Sequence, residues 1–251
     1  MKTKRITQSV LVLLILVATL SCSKDTSIPS AISTGNVALK AKATINNVTL
    51  KNSLAQKKQA AITITNFKVN IKKIEFDIKD NDTINDDLYT DIKLNGPFEL
   101  DLASGSTSID ITTVDLPNNV YDKIQFELDK SLNNQSDLFG KSIEIKGDID
   151  GVPFIFWSDA EDEIKVDFSN KNIDVVVDGS TTTTTINFDL SAIFGATTTL
   201  DFSTATDGNG NGIIEINPTN IDGNGELAGI LKDLIENGSD LENDTTESGS
   251  D

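Results

Sequence analysis

Apolar and polar residues alternate in short runs along most of this chain, and a period of two restricts such runs to strands with one face buried. Val37, Leu39, Ala41, Ala43 and Ile45 set the pattern. Phe67, Val69 and Ile71 keep one parity and Ile74, Phe76 and Ile78 the other, so the inward face switches at Lys72-Lys73. A β-bulge or bend is predicted there. Further alternating runs cover residues 98–102, 109–114, 124–128, 143–149, 154–157, 164–168, 173–177 and 186–190. Gly96-Pro97, Ser104-Gly105, Pro117-Asn118-Asn119, Gly140, Asp150-Gly151 and Asp178-Gly179 punctuate them as turns. Residues 80–87 read as an acidic, Asn-rich loop. No long helical period intervenes, so the spacing predicts an all-β fold, an antiparallel β-sandwich of immunoglobulin-like or related kind. A parallel α/β sheet would need crossover helices, and a closed barrel is the lesser alternative.

One helix is predicted near the end, over about 224–237. Leu227, Ile230, Leu231, Leu234 and Ile235 fall at helical spacing, Asp222 or Asn224 caps the start, and Asn237-Gly238 supplies a left-handed stop. Residues 239–251 are acidic, hold only Leu241 as a large apolar side chain, and read as a disordered tail. The sandwich domain is thus expected over residues 36–238.

The first 21 residues have a different order. Lys2, Lys4 and Arg5 precede an apolar run over 10–20 that is too short to span a bilayer, followed by the small residue Ser21 and the chain's single cysteine, Cys22. Thr19-Leu20-Ser21-Cys22 resembles a lipobox with its leucine displaced by one position. The expectation is a signal peptide over 1–21, acylation of Cys22, and a flexible tether over 22–35 that carries Pro29. Two or three acyl chains, at about 0.8 kcal/mol per buried CH₂, hold a protein on a lipid bilayer. The location implied is that of an outer-membrane lipoprotein, facing either the periplasm or the cell surface. Ordinary secretion and an uncleaved anchor are the alternatives.

Composition removes several chemistries. Lysine and arginine total 21 against 39 acids, a net charge of −18. Loss of the three basic residues of the signal leaves about −21, a field that repels nucleic acid and anionic headgroups and attracts cations. With no histidine in the chain, Ser-His-Asp triads, histidine general bases and histidine-ligated metals are excluded. Arg5 is the only arginine, so the mature domain lacks the guanidinium fork that clamps phosphates.

The best candidate for specific chemistry is the run 207–215. Asp207, Asn209 and Asn211 take positions one, three and five of an EF-hand-like loop, with Gly212 at the turn, the Ile213 carbonyl at seven and Glu215 at nine. Oxygen donors at this spacing suit calcium. Pro218 stands at position twelve in place of a bidentate glutamate, so the remaining ligand would come from Asp222 or Glu226. Glycine, asparagine and aspartate also build consecutive turns for conformational reasons alone, and that alternative stays open.

Two other functions are weighed against a binding module. Glu161, Asp162 and Glu163 lie near Trp157 in sequence, as paired carboxylates near an aromatic platform would in a glycoside hydrolase. Adjacent acids in a turn are more commonly a solvated face, so no catalytic residue is assigned. A pilus-type subunit polymerising by strand donation is the structural alternative. The threonine runs 181–185 and 197–199 are read as exposed edge strand.

The order of motifs over residues 36–190 resembles an uncharacterised, β-rich lipoprotein family of the Bacteroidota. The resemblance rests on Ile71-Lys72-Lys73-Ile74-Glu75, on Gly96-Pro97-Phe98-Glu99-Leu100-Asp101-Leu102, and on Leu116-Pro117-Asn118-Asn119-Val120-Tyr121 leading into Ile124-Gln125-Phe126. Asn118-Asn119 depart from the glycine-containing turn of that family. The resemblance implies a fold and a compartment and transfers no active-site residue. A membrane-anchored, non-enzymatic β-sandwich is therefore expected, serving as a binding or envelope-structural module with an envelope protein or a glycan as partner and calcium as a possible stabilising ion.

Overall fold

A computed structural model describes residues 33–45, 60–78, 92–102, 105–167, 175–195, 198, 200–237 and 239–243. Cys22, the tether up to residue 32 and the loop 80–87 lie outside them. Two open β-sheets share one apolar core, with the C-terminal helix packed on it, as a β-sandwich. The first sheet takes β1 (Thr34–Thr44), β4 (Gly105–Pro117), β10 (Thr181–Asp189) and β12 (Ser239–Asn243) in the order β12-β10-β1-β4. The second is built on β2 (Ile62–Ile78), a strand of 17 residues.

Along one side of β2, β6 (Ile143–Ile149) pairs with residues 62–69 and β5 (Asn119–Leu128) with residues 71–78. These two strands therefore follow one another in line. On the other side lies β3 (Ile92–Asp101). β7 (Val152–Ser158) continues the sheet beyond β6, and β8 (Asp162–Asp167) and β9 (Val175–Val177) beyond β5. β11 (Ile214–Ile216) closes the far edge on β7.

The bulge predicted at Lys72-Lys73 is present. Register slips between Ile71 and Lys73 against both β3 and β5, which returns Ile71, Ile74 and Phe76 to one buried face. Gly96-Pro97, read from sequence as a turn, instead lies within β3 opposite this bulge, with a cis peptide bond. A Cβ at Gly96 would meet the Ile71 carbonyl oxygen at 2.4 Å, so only glycine lets the two backbones approach. The proline is tolerated because β3 is an edge strand.

Two neighbouring pairs run parallel, β1 with β10 and β11 with β7, so the sheets are mixed. Parallel pairing needs a long crossover connection, for which a helix is the usual but not the required form; β1 and β10 are separated by most of the domain and joined through the opposite sheet. The C-terminal tail also differs from expectation. Ser239–Asn243 is a strand, antiparallel to β10 with Leu241 in register with Ile186. Its composition is that of a tail, but the open edge of β10 offers unpaired backbone groups, and pairing there satisfies them.

The core lies between the sheets. Phe188 of β10 meets Phe67 of β2 and Phe126 of β5 edge-on, at centroid distances of 5.4 and 5.7 Å. Helix α2 (Gly225–Asn237), close to its predicted bounds, buries Ala228, Leu231 and Ile235. A four-residue helix α1 (Ser191–Phe194) and a 3₁₀ turn (Phe202–Thr204) precede it. Their Phe194 and Phe202 rings stack at 5.6 Å and extend the core beneath the helix.

Candidate functional site

The loop joining the 3₁₀ turn to α2 is tied together by the side chains singled out from sequence. Asp207 Oδ1 accepts the backbone N–H groups of Gly210 and Asn211 at 2.8 and 3.0 Å, and its Oδ2 accepts that of Gly212 at 2.7 Å. Asn209 and Asn211 each fold their Oδ1 back on the chain, accepting from Asn211 N (2.9 Å) and Ile213 N (2.8 Å). These are Asx turns, and they require the left-handed backbone that Gly210 (φ 73°) and Gly212 (φ 88°) supply.

Three of the expected ligand side chains converge. The Asn209 and Asn211 amides donate from Nδ2 to Glu215 Oε2, at 2.6 and 3.3 Å, so positions three, five and nine meet at one carboxylate oxygen. Asp207 and the exposed Ile213 belong to the same turn. Asp222 is held in another way. It is 4% exposed, and its two oxygens accept the backbone N–H groups of Asn209 (3.0 Å) and Glu215 (2.7 Å), clamping both limbs of the loop from behind. Glu226 is exposed in the first turn of α2.

A second clamp was not anticipated as part of this site. Asn224, buried at 6%, donates to the carbonyls of Thr206 (2.8 Å) and Glu215 (3.0 Å) and accepts the Thr206 N–H (3.1 Å). Its sequence position before a helix marks it as a cap. The contacts it makes 18 residues away carry no local signal. Gly208 is fixed by the same packing, since a Cβ there would meet the Asp222 carbonyl oxygen at 2.5 Å.

Among the described residues, no group of three or more histidine, cysteine, aspartate or glutamate side chains is gathered to hold a metal. The loop instead offers two carboxylates with amide and carbonyl oxygens, a hard donor set of low charge that fits calcium better than a softer metal. An ion bound at Glu215 would replace the two amide donors there and require each asparagine to turn Oδ1 toward it.

Elsewhere among the described residues, several charged groups form ion pairs. On the outer face of the second sheet, Lys93 and Lys73 hold the buried Glu75 at 2.7 and 3.3 Å, and Lys72 and Lys73 hold Glu127 at 2.8 and 3.4 Å. The Lys93 contact holds the Glu75 carboxyl below its ordinary range, and Lys72 does the same for Glu127. A carboxyl whose folded pKa is depressed stabilises the fold fully above its unfolded pKa and loses that contribution as pH falls through the folded value. Thermal stability is therefore expected to fall as pH drops below about 4.5, the ordinary glutamate value. Melting temperatures for the Lys72→Met/Lys93→Met variant should show a shallower acid dependence; an identical slope would remove this network as the cause.

The segment 129–142 between the in-line strands β5 and β6 lies over the same outer face. Asp137 pairs with Lys68 at 2.6 Å, Ser131 donates to Glu99, and Leu138 is buried. The segment helps cover Glu144, 1% exposed, whose carboxylate is matched by Lys141 and Lys146. Of the acids near Trp157, Glu161 is exposed and 3.7 Å from Lys130. No family model, curated protein or solved structure matches the chain.

Proposed function

We propose that this chain is an extracytoplasmic module carried on a membrane by acylated Cys22, non-enzymatic, and acting as a binding or envelope-structural domain whose loop 207–224 is stiffened by calcium. The outer membrane is the membrane proposed, and the resemblance to Bacteroidota lipoproteins belongs to the same proposal. The observation that carries it is polarity along the sandwich. The chain enters at Ser33, whose carbonyl accepts the Asn118 N–H at 2.8 Å beside the β4–β5 turn. The segment 207–224 includes β11, which begins opposite Phe154, itself in register with Gly147 near the far end of the in-line strands β5 and β6. At about 3.3 Å per residue, the two ends are about 40–50 Å apart. Within the domain, the strand that follows the tether and the loop 207–224 thus occupy opposite ends, which supports a module that presents the loop to a partner.

Two measurements test this. Full-length protein is expected in the detergent-soluble membrane fraction and Cys22→Ala in the aqueous fraction; identical partitioning sinks the anchor. For the loop, calcium in the millimolar range should raise the melting temperature, since two carboxylates support an affinity of about 10⁻⁴ to 10⁻³ M. Glu215→Gln keeps an acceptor for the asparagine amides and should abolish the rise. A melting curve indifferent to calcium leaves the loop as self-satisfied turns.

A further inference from the structure

Between the end of β7 and helix α2 lies a slot of about 190 Å³, lined by Trp157, Asp159, Pro218, Gly225, Gly229 and Lys232 among others. Residues 225, 229 and 232 recur on one face of the helix, and two of the three are glycine. Gly229 is unexplained by packing. It is exposed, its φ is not left-handed, and a Cβ built there would meet nothing within 4 Å. A glycine inside a helix costs about 1 kcal/mol relative to alanine, and here that glycine lines the same slot as Trp157. Trp157 is the only tryptophan in the chain and is half-buried on the outer face of the sheet.

We propose that this slot is a subsite for one neutral sugar ring, stacked on the Trp157 indole and hydrogen-bonded at the rim by Asp159 and Lys232. The size admits a single ring and is below the roughly 300–1,000 Å³ of sites for larger ligands. The chemistry selects a sugar. An indole face takes the C–H face of a pyranose, an exposed carboxylate accepts from hydroxyls, and an ammonium donates to them. An anion is disfavoured, because Lys232 is already matched by Asp233 at 3.3 Å and Glu236 at 2.9 Å and the chain carries −18 overall. This inference rests on the reading of the domain as a binding module and supplies its ligand class.

Because Trp157 is the sole tryptophan, its emission reports the slot directly. Full-length protein in detergent would be titrated with maltose, cellobiose and N,N′-diacetylchitobiose, beside Gly229→Leu and Asp159→Ala. The expected result is a saturable change in emission with at least one of them. Asp159→Ala should weaken it several-fold and Gly229→Leu by about tenfold or more, although leucine is the better helix former and should leave the melting temperature equal or higher. No saturable response to any of the three sugars overturns the proposal. A response unchanged in Gly229→Leu also overturns it, because the ligand then sits elsewhere. Loss of the sugar response beside an intact calcium response would remove the subsite alone and leave the module reading standing.

Discussion

Phe188→Ala is expected to lower the free energy of unfolding by about 3–5 kcal/mol. The ring is 1% exposed and comes from β10 in the first sheet, whereas its partners Phe67 and Phe126 come from β2 and β5 in the second. Truncation therefore opens a cavity between the layers, where neither sheet can relax without losing its ladder. Both contacts are edge-to-face, with interplanar angles of 80° and 70°, a geometry worth about 0.5–1.5 kcal/mol per pair beyond area burial. Phe188→Leu fills most of the volume and should cost less than half as much. Chemical denaturation at unchanged m-value is the measurement. A loss below about 1 kcal/mol for the alanine variant would mean that these rings do not join the sheets.

Asp222→Ala should cost about 2–4 kcal/mol, concentrated in the loop it clamps. Both carboxylate oxygens accept backbone N–H groups, and at 4% exposure water cannot replace them. Asp222→Asn is the sharper variant, because it keeps the shape. Its Oδ1 can serve one N–H, but its Nδ2 then faces the other, donor against donor, so the isosteric change should cost nearly as much as truncation. Hydrogen exchange separates this from general destabilisation. The Asn209 and Glu215 amides should lose protection well before those of β2 and β6. Equal loss everywhere would mean that Asp222 supports the whole domain rather than the loop.

The two variants probe different kinds of information. Phe188 could be placed in the core from its own neighbourhood, because 186–190 alternates and only one parity can face inward. The clamp at Asp222 could not be separated from an ion ligand in the same way. A carboxylate following an Asn-Gly run looks identical in sequence whether its oxygens point at an ion or at backbone N–H groups. What distinguishes the two roles is which side of the loop it approaches, and the packing of α2 and β11 sets that.

Local chemistry determined much of this protein on its own. The parity switch at Lys72-Lys73 is visible as the bulge between Ile71 and Lys73, α2 spans Gly225–Asn237, and the Asn-Gly run folds into Asx turns around Asp207. Each depends only on residues a few positions apart, through side-chain alternation, helical spacing or turn stereochemistry. Tertiary structure decided the rest. β1 lies parallel to β10, Gly96-Pro97 is carried inside β3, and the acidic segment Ser239–Asn243 becomes an edge strand. In each of these the deciding partner is a backbone far away in sequence, whose unpaired N–H and C=O groups must be satisfied, and a free backbone edge leaves no mark on the composition of the strand that comes to cover it.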